Sequence, residues 1–307
     1  MKVVIAGGSG ALGRRLCDDL ESRGHQVVVL TRRVRPDRPY RQVEWDGRTV
    51  GAWSVELDGS AVVNLAGELV DRRPTPTNVQ LLTRSRVEPT RALVAAMAGL
   101  PARVPVLVQA STLAIYGDAG DRVLDESAAP ADGPPQMAGV ARAWEAAAAG
   151  ARADRLVVLR TGIVLDNDTP ALDRLSSLVR WGLGGRVASG RQWVSWVHID
   201  DWLAIVRAAL APVTGAGEGL IHATSPHPVR NMELMAALRK VLRRPPAPPT
   251  PAALVRLGAV LLRTDPALAL TGRRAVPARL LAAGFRFTHP QLDEALADLL
   301  VDRQPAP

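Results

Sequence analysis

Residues Val3-Val4-Ile5-Ala6 form a short apolar run rich in β-branched side chains, and Gly7-Gly8-Ser9-Gly10-Ala11-Leu12-Gly13 follows at once. An amphipathic segment from Leu12 to Arg23 comes next. The order is strand, tight glycine turn, helix. In such a unit Gly7 permits the sharp turn, Gly10 lets the backbone come close to a pyrophosphate, and Gly13 lets the helix pack tightly on the strand. The helix start then offers free N–H groups and the positive end of its dipole to phosphate oxygens. Gly7, Ser9, Gly10, Ala11, Leu12 and Gly13 are therefore the expected cradle of a dinucleotide.

The second strand, Gln26-Val27-Val28-Val29-Leu30, decides which dinucleotide. It runs into Thr31-Arg32-Arg33, 18 to 20 residues beyond Gly13. A site for NAD usually carries an acid there, which accepts from the ribose 2′-hydroxyl. Here two arginines stand in its place. A guanidinium fork suits a 2′-phosphate and a carboxylate would repel it. The expected coenzyme is NADP(H), with Arg32 the principal contact and Arg33 beside it.

Strand-like and helix-like segments alternate along the chain, as expected of βαβ units and a parallel sheet. Further strands are read at 43–46, 61–67, 105–111 and 156–160, and helices at 76–98 (with a kink at Pro89) and 136–150. The expected fold is α/β, a Rossmann-type doubly wound parallel sheet over residues 1–165. Part of 187–225 returns to that domain. Residues 166–307 form a smaller, mostly helical C-terminal substrate-binding region. The proline-rich stretch 245–251 reads as a linker or rigid crossing. Leu280 to Phe285 reads as a helix capped by Gly284, 291–300 as a last amphipathic helix, and 304–307 as a frayed tail. Ligands of such sheets bind at the carboxyl ends of the strands. That rule gathers Gly7–Gly13, Arg32, Asp46, Leu65, Ala66, Gly67, Ser111, Thr112, Thr161 and Gly162 around one crevice.

Composition excludes several alternatives. The net charge is +8, yet every basic residue except Lys2 and Lys240 is arginine. The arginines are scattered, without basic runs or interleaved aromatics, which speaks for GC-rich codon usage and against a nucleic-acid partner. Cys17 is the single cysteine, so no intramolecular disulfide is possible. No stretch approaches the ~18 apolar residues of a membrane span, and the first apolar run is too short for a signal peptide. A cytoplasmic protein without a membrane partner is expected. The five histidines (25, 198, 222, 227 and 289) show no metal-ligand spacing, so no metal site is expected.

Several stretches together resemble the extended short-chain dehydrogenase/reductase family, and within it the atypical branch described as sugar-nucleotide-epimerase-like. They are Asn64-Leu65-Ala66-Gly67-Glu68, Ser85-Arg86-Val87 with Thr90, Tyr116-Gly117-Asp118, Trp144-Glu145-Ala146-Ala147, Leu159 to Leu165, Gly190 to Asp201 and Ala283 to Phe287. The resemblance spans nearly the whole chain. It implies a coenzyme-binding Rossmann domain. It also implies a Ser/Thr and a Tyr-x-x-x-Lys pair, whose tyrosine is the general acid/base and whose lysine lowers its pKa and holds the ribose. Those last two positions fall at Met137 and Ala141, which cannot exchange a proton. No shifted register restores them, because the only tyrosines are Tyr40 and Tyr116 and no lysine lies between Lys2 and Lys240. The usual Asn position holds Arg86. Thr112 stands at the Ser/Thr position with Ser111 beside it.

That loss bears on the chemistry. Alcohol oxidation needs a base, and general acid–base help is typically worth about 10²–10⁴-fold. Ketone reduction needs less: hydride from the nicotinamide, and hydroxyl donors aimed at the developing alkoxide. The leading expectation is an NADPH-dependent ketoreductase acting on a small-molecule carbonyl, such as an aromatic polyketide in a natural-product (antibiotic) pathway. Thr112 or Ser111 would polarise the carbonyl, and Tyr116 is either a nearby hydroxyl or a packing residue. Arg86 adds charge near the coenzyme. Trp193 and Trp196 either stack on a flat substrate or fill the core, and His198 is expected to be a structural hydrogen-bonder. The alternatives are a nucleotide-sugar epimerase or dehydratase and a non-catalytic NADP(H) sensor. A monomer or a homodimer is expected.

Overall fold

The computed structural model describes residues 1–132, 135–167, 169–211, 218–261 and 263–302. The chain begins with β1 (Lys2–Ala6), α1 (Ala11–Ser22), β2 (Gln26–Thr31) and β3 (Arg41–Glu44). β4 (Ala61–Asn64), α2 (Pro76–Ala98) and β5 (Val104–Thr112) follow, then the short β6 (Val123–Leu124), α3 (Val140–Ala148) and β7 (Ala153–Thr161). Next come β8 (Ile163–Leu165), α4 (Pro170–Arg180), β9 (Trp193–Val194), β10 (Trp196–His198), α5 (Ile199–Leu210) and β11 (Gly219–Ala223). The C-terminal part holds β12 (Val229–Arg230), α6 (Asn231–Val241), α7 (Ala252–Leu261), α8 (Ala267–Leu270), β13 (Arg274–Ala275), α9 (Ala278–Ala282) and α10 (Leu292–Ala297).

Seven strands form one parallel sheet in the order β11-β7-β5-β4-β1-β2-β3. The order reverses at β1, between β2 and β4, so a crevice opens there at the carboxyl ends of the strands. This is the expected doubly wound α/β fold. Both faces of the sheet are covered, which is why β1 and β4 read as unbroken apolar runs instead of alternating ones. Val3 and Ile5 point to one face and share a core with Leu16 and Leu20 of α1 and Val206 and Ala209 of α5. Val4 and Ala6 point to the other, against Leu93 and Met97 of α2. α1 buries Gly13, Leu16, Cys17 and Leu20, the i, i+3, i+4, i+7 stripe of a helix lying on a sheet. α2 starts cleanly, because the Thr75 side chain accepts from the Asn78 N–H and Pro76 takes the first turn.

One boundary shifts from the sequence reading. The third strand ends at Glu44, two residues earlier than expected, because Trp45 drops its ring against Trp53 (centroids 5.3 Å apart) and Asp46 opens a turn. α2 runs through Pro89 as one helix. The 245–251 segment is a crossing strap: Thr250 bridges Val187, and a Cβ at Gly185 would strike the Pro248 carbonyl. α9 ends at Ala282, with Ala283 as its cap and Gly284 at φ +74° just beyond, the expected glycine stop. The expected frayed tail at 304–307 lies outside the described residues. β11 was not anticipated. It is short, starts at Gly219 and joins the sheet edge beside β7. No helix among the described residues is long and apolar enough to cross a membrane.

Candidate active site

The glycine turn has the geometry of a phosphate cradle. Gly7 sits at φ +83°, and a Cβ there would lie 2.7 Å from the Leu65 carbonyl carbon. A Cβ on Gly13 would lie 2.4 Å from the Gly7 oxygen. Both glycines are required by backbone packing alone. Gly10 differs: its Cβ would meet only the Gly7 oxygen, at 3.4 Å, so its outer side faces open space. α1 has no side-chain cap and no acid in its first turn, and the Arg14 guanidinium donates back to the Ser9 carbonyl. Uncapped N–H groups, a positive helix end and an open glycine fit a pyrophosphate.

At the end of β2, Arg32 and Arg33 are exposed. The Arg32 side chain, 77% accessible, lies 3.7 Å from the Glu68 carboxylate, which also pairs with Arg72 at 3.2 Å. Asp46 does not project freely into the crevice. Its oxygens accept from the Arg48 and Thr49 N–H groups and the Thr49 hydroxyl. Those bonds, led by the Thr49 N–H, hold its pKa down to about 2. Leu65 and Ala66 close the crevice against Gly7. The Leu65 N–H donates to the Ala6 carbonyl, and the buried Asn64 side chain accepts from the Ala66 N–H. Asn64 in turn donates to Thr90 and Gln109, both at 2.9 Å. This buried triad fixes the strand end; Asn64 and Thr90 stand out in the sequence only as part of the family resemblance, and their link through Gln109 does not.

Arg86 lies under Gly67, where a Cβ would approach its guanidinium carbon to 3.0 Å. Its Nη2 donates to the Glu68 carbonyl at 2.8 Å while Ser85 accepts from the Glu68 N–H, so Ser85-Arg86 clamps the loop after β4. The guanidinium sits 5.1 Å from the Trp144 ring centroid, and its Nε has no partner among the described residues. Burial lowers its pKa to about 10, against the opposing field of Glu68. Gly162 is packed under the Ser195 backbone, where a Cβ would come within 2.7 Å of a carbonyl oxygen.

The three hydroxyls read as catalytic candidates part company. Thr112, at the end of β5, accepts from the Ala114 N–H, and its own proton has no acceptor among the described residues. Ser111 is buried and donates to Glu145 at 2.5 Å. Glu145, on α3, is held by a two-pronged pair with Arg160 at 2.8 Å on each side. Tyr116 is 1% exposed, so it does not meet the crevice as a free hydroxyl. Arg160 donates to its oxygen at 2.6 Å. His222 donates through Nδ1 to the Val276 carbonyl, so its Nε2 accepts the Tyr116 proton at 2.7 Å. Burial raises the Tyr116 pKa, and Arg160 works against that rise. Met137 and Ala141 stand in the segment leading into and through α3.

The segment around 193–198 is structural. Trp196 is fully buried and donates to the His227 carbonyl. Trp193 carries the guanidinium groups of Arg230 and Arg274 within 4.2 and 4.5 Å of its ring centroid. Ser195 bonds the Arg273 carbonyl and the Ala275 N–H, and His198 caps α5.

Comparison with known proteins agrees with this architecture. Residues 3–220 match the model of the NAD dependent epimerase/dehydratase family, and 250–299 match a domain of unknown function, DUF1731. The chain is 35% identical to epimerase family protein ML0860 of Mycobacterium leprae, over 96% of this chain and 94% of that one. It is 32% identical to the chloroplastic SDR39U1 homolog of Arabidopsis thaliana, over 98% and 87%. The crystal structure of human SDR39U1 (isoform 2) with NADPH matches at TM-score 0.85 and 30% identity, covering 98% of this chain and 99% of that one. MoeE5 bound to UDP-glucuronic acid and NAD matches at TM-score 0.74 and 23% identity, over 98% of each chain, and shares the fold. With this crevice, this sheet order and these matches, the chain belongs to the NAD dependent epimerase/dehydratase family, alongside the SDR39U1-type proteins.

Proposed function

We propose that the protein is an NADP(H)-dependent ketoreductase that lacks the usual tyrosine–lysine pair. Gly7, Ser9, Gly10, Ala11, Leu12 and Gly13 bind the pyrophosphate, and Arg32, with Arg33, binds the 2′-phosphate. Leu65, Ala66 and Gly67 line the crevice, with Arg86 beneath them. The NADPH in the human relative supports this choice of coenzyme. The observation that carries the reaction is the contrast at the end of β5. Thr112 offers an uncommitted hydroxyl proton, whereas Ser111 and Tyr116 are spent inside the Glu145–Arg160–His222 network.

Bound NADPH would supply the hydride to the carbonyl carbon. Thr112 donates a hydrogen bond to the oxygen as negative charge builds on it, and water supplies the proton that completes the alcohol. Ser111, Glu145, Arg160 and Tyr116 hold the strand end in place. A buried cation at Arg86, with no carboxylate bonded to it among the described residues, adds favourable field for that charge. Asp46, held in its own turn, and Gly162, packed under Ser195, complete the proposed coenzyme site. The substrate is a ketone that fits beside β5, and an aromatic polyketide ketone is one candidate.

The family model favours a second reading, a nucleotide-sugar epimerase whose acid and base lie elsewhere. The two part on stoichiometry. Purified protein is incubated with NADPH and a panel of ketones and quinones, and absorbance at the reduced-nicotinamide band is followed. Consumption matched by alcohol product, with NADPH preferred to NADH, supports the reductase. Tight NADPH binding without consumption, together with isomerised UDP- or TDP-sugar, refutes it.

A further inference from the structure

On the side of the fold where α5 meets the C-terminal helices, four metal-ligating side chains converge from three distant segments. They are His198 and Asp200, His289, and Asp298 just after α10, and one ligand atom from each lies within 4.8 Å of the others. We infer that Asp200, His289 and Asp298 bind a divalent transition-metal ion of the zinc type, with His198 behind them orienting Asp298. The expectation of no metal site rested on local spacing, and His198 and His289 are 91 positions apart.

The tautomer of His198 separates its role from the others. The Asp200 N–H donates to its Nδ1 at 3.1 Å, so Nδ1 carries the lone pair and Nε2 the proton. Nε2–H then donates to Asp298 Oδ2 at 3.2 Å. Both nitrogens of this fully buried ring are committed, and its N–H supplies the hydrogen bond that orients a ligating carboxylate. His289 is different. Its side chain is 17% exposed and its Nε2 lies 3.9 Å from Asp200 Oδ2. Its ring stacks on His198 with centroids 3.9 Å apart, and Asp201 anchors its backbone by accepting from the Thr288 and His289 N–H groups.

Nitrogen and carboxylate ligands bind zinc at about 2.0–2.2 Å, so ligand atoms should end within ~4.4 Å of one another. The 3.9 Å pair already meets that, and the 4.8 Å outer limit needs a few tenths of an ångström from side chains that are partly exposed. Two carboxylates and one imidazole suit Zn²⁺, Co²⁺ or Mn²⁺ and leave positions open for water. The positive end of α5 disfavours a cation, and the acids in its first turn, Asp200 and Asp201, offset it. A bound ion would staple the DUF1731 segment, through His289 and Asp298, to the parallel-sheet domain.

The test is calorimetric titration of chelator-treated full-length protein with ZnCl₂, with Co²⁺ absorbance as a second readout. We expect one Zn²⁺ per chain and a tetrahedral or five-coordinate cobalt band between about 500 and 650 nm. His289→Ala and Asp298→Asn should each weaken binding at least about tenfold, the lower range for perturbing a metal's ligand environment. His25→Gln should leave binding unchanged; that ring lies 3.4 Å from the N-terminal amine and is the obvious adventitious chelate. Circular dichroism checks that each variant is folded, and Asp200→Asn replaces any that is not. No zinc uptake, or uptake lost in His25→Gln and retained in His289→Ala and Asp298→Asn, overturns the assignment.

Discussion

Replacing Arg32 by alanine tests the coenzyme reading most directly. A charge-assisted bond from a guanidinium to a phosphate is worth about 1.5–3 kcal/mol, or roughly 10- to 150-fold in affinity. Arg32 is 77% exposed and therefore screened by salt, so the lower end, about tenfold for NADPH, is expected at physiological ionic strength. NADH has no 2′-phosphate and should change by less than about threefold. Glu68 sharpens the test. Its carboxylate lies 3.7 Å from Arg32 and would meet the incoming dianion. An exposed pair of this kind is worth about 0–1 kcal/mol, so Glu68→Gln should tighten NADPH by up to about fivefold and leave NADH alone. Fluorescence titration with both coenzymes reads all four values. Equal loss of NADPH and NADH in Arg32→Ala would remove the 2′-phosphate assignment.

Other predictions follow from the same geometry. Gly10→Ala should leave the melting temperature nearly unchanged yet abolish coenzyme binding, because its Cβ would meet only the Gly7 oxygen, at 3.4 Å, whereas Gly13→Ala should destabilise the fold itself; equal melting of the two would refute the distinction. Thr112→Val should cut turnover about 10²-fold, the range of one lost oxyanion donor, at unchanged NADPH affinity, and full activity in that variant would exclude the hydroxyl. Arg160→Met should cost about 3 kcal/mol in a urea melt, because it strands Glu145 and the Tyr116 oxygen, and a loss under about 1 kcal/mol would show the network to be dispensable. Burial holds His222 below its usual pKa, so the unfolded chain takes a proton near pH ~6.5 that the folded chain resists. Its stabilising contribution is complete above that pH and is lost on acidification, so melts between pH 7.5 and 5.5 should fall with pH less steeply in His222→Gln.

The glycine turn, the parallel sheet and the crevice at its carboxyl edge were legible because they are local. A turn that needs φ +83° at Gly7, or a helix start where a Cβ on Gly13 would lie 2.4 Å from the Gly7 oxygen, restricts residue type at one position whatever the rest of the chain does. Apolar runs buried on both faces likewise announce themselves over four or five neighbours. Asn64 carried a weaker signal, a polar side chain closing an apolar strand just before Leu65-Ala66-Gly67. Its partners Thr90 and Gln109 lie 26 and 45 residues away, and nothing near it in the chain names them.

The division among the hydroxyls was not legible at all. Ser111 and Thr112 are adjacent and chemically alike, yet neighbours on a strand point to opposite sides. One meets Glu145, 34 residues on, and the other caps a turn with its proton free. Tyr116 became a buried link because β11, which the sequence did not announce, brings His222 to it from 106 residues away. The fold and the glycine turn were already written in the chain, since backbone sterics and short-range periodicity act between neighbours. Which of the described polar groups find partners was settled by packing across the fold, because a hydrogen bond depends on what tertiary contacts place within about 3 Å.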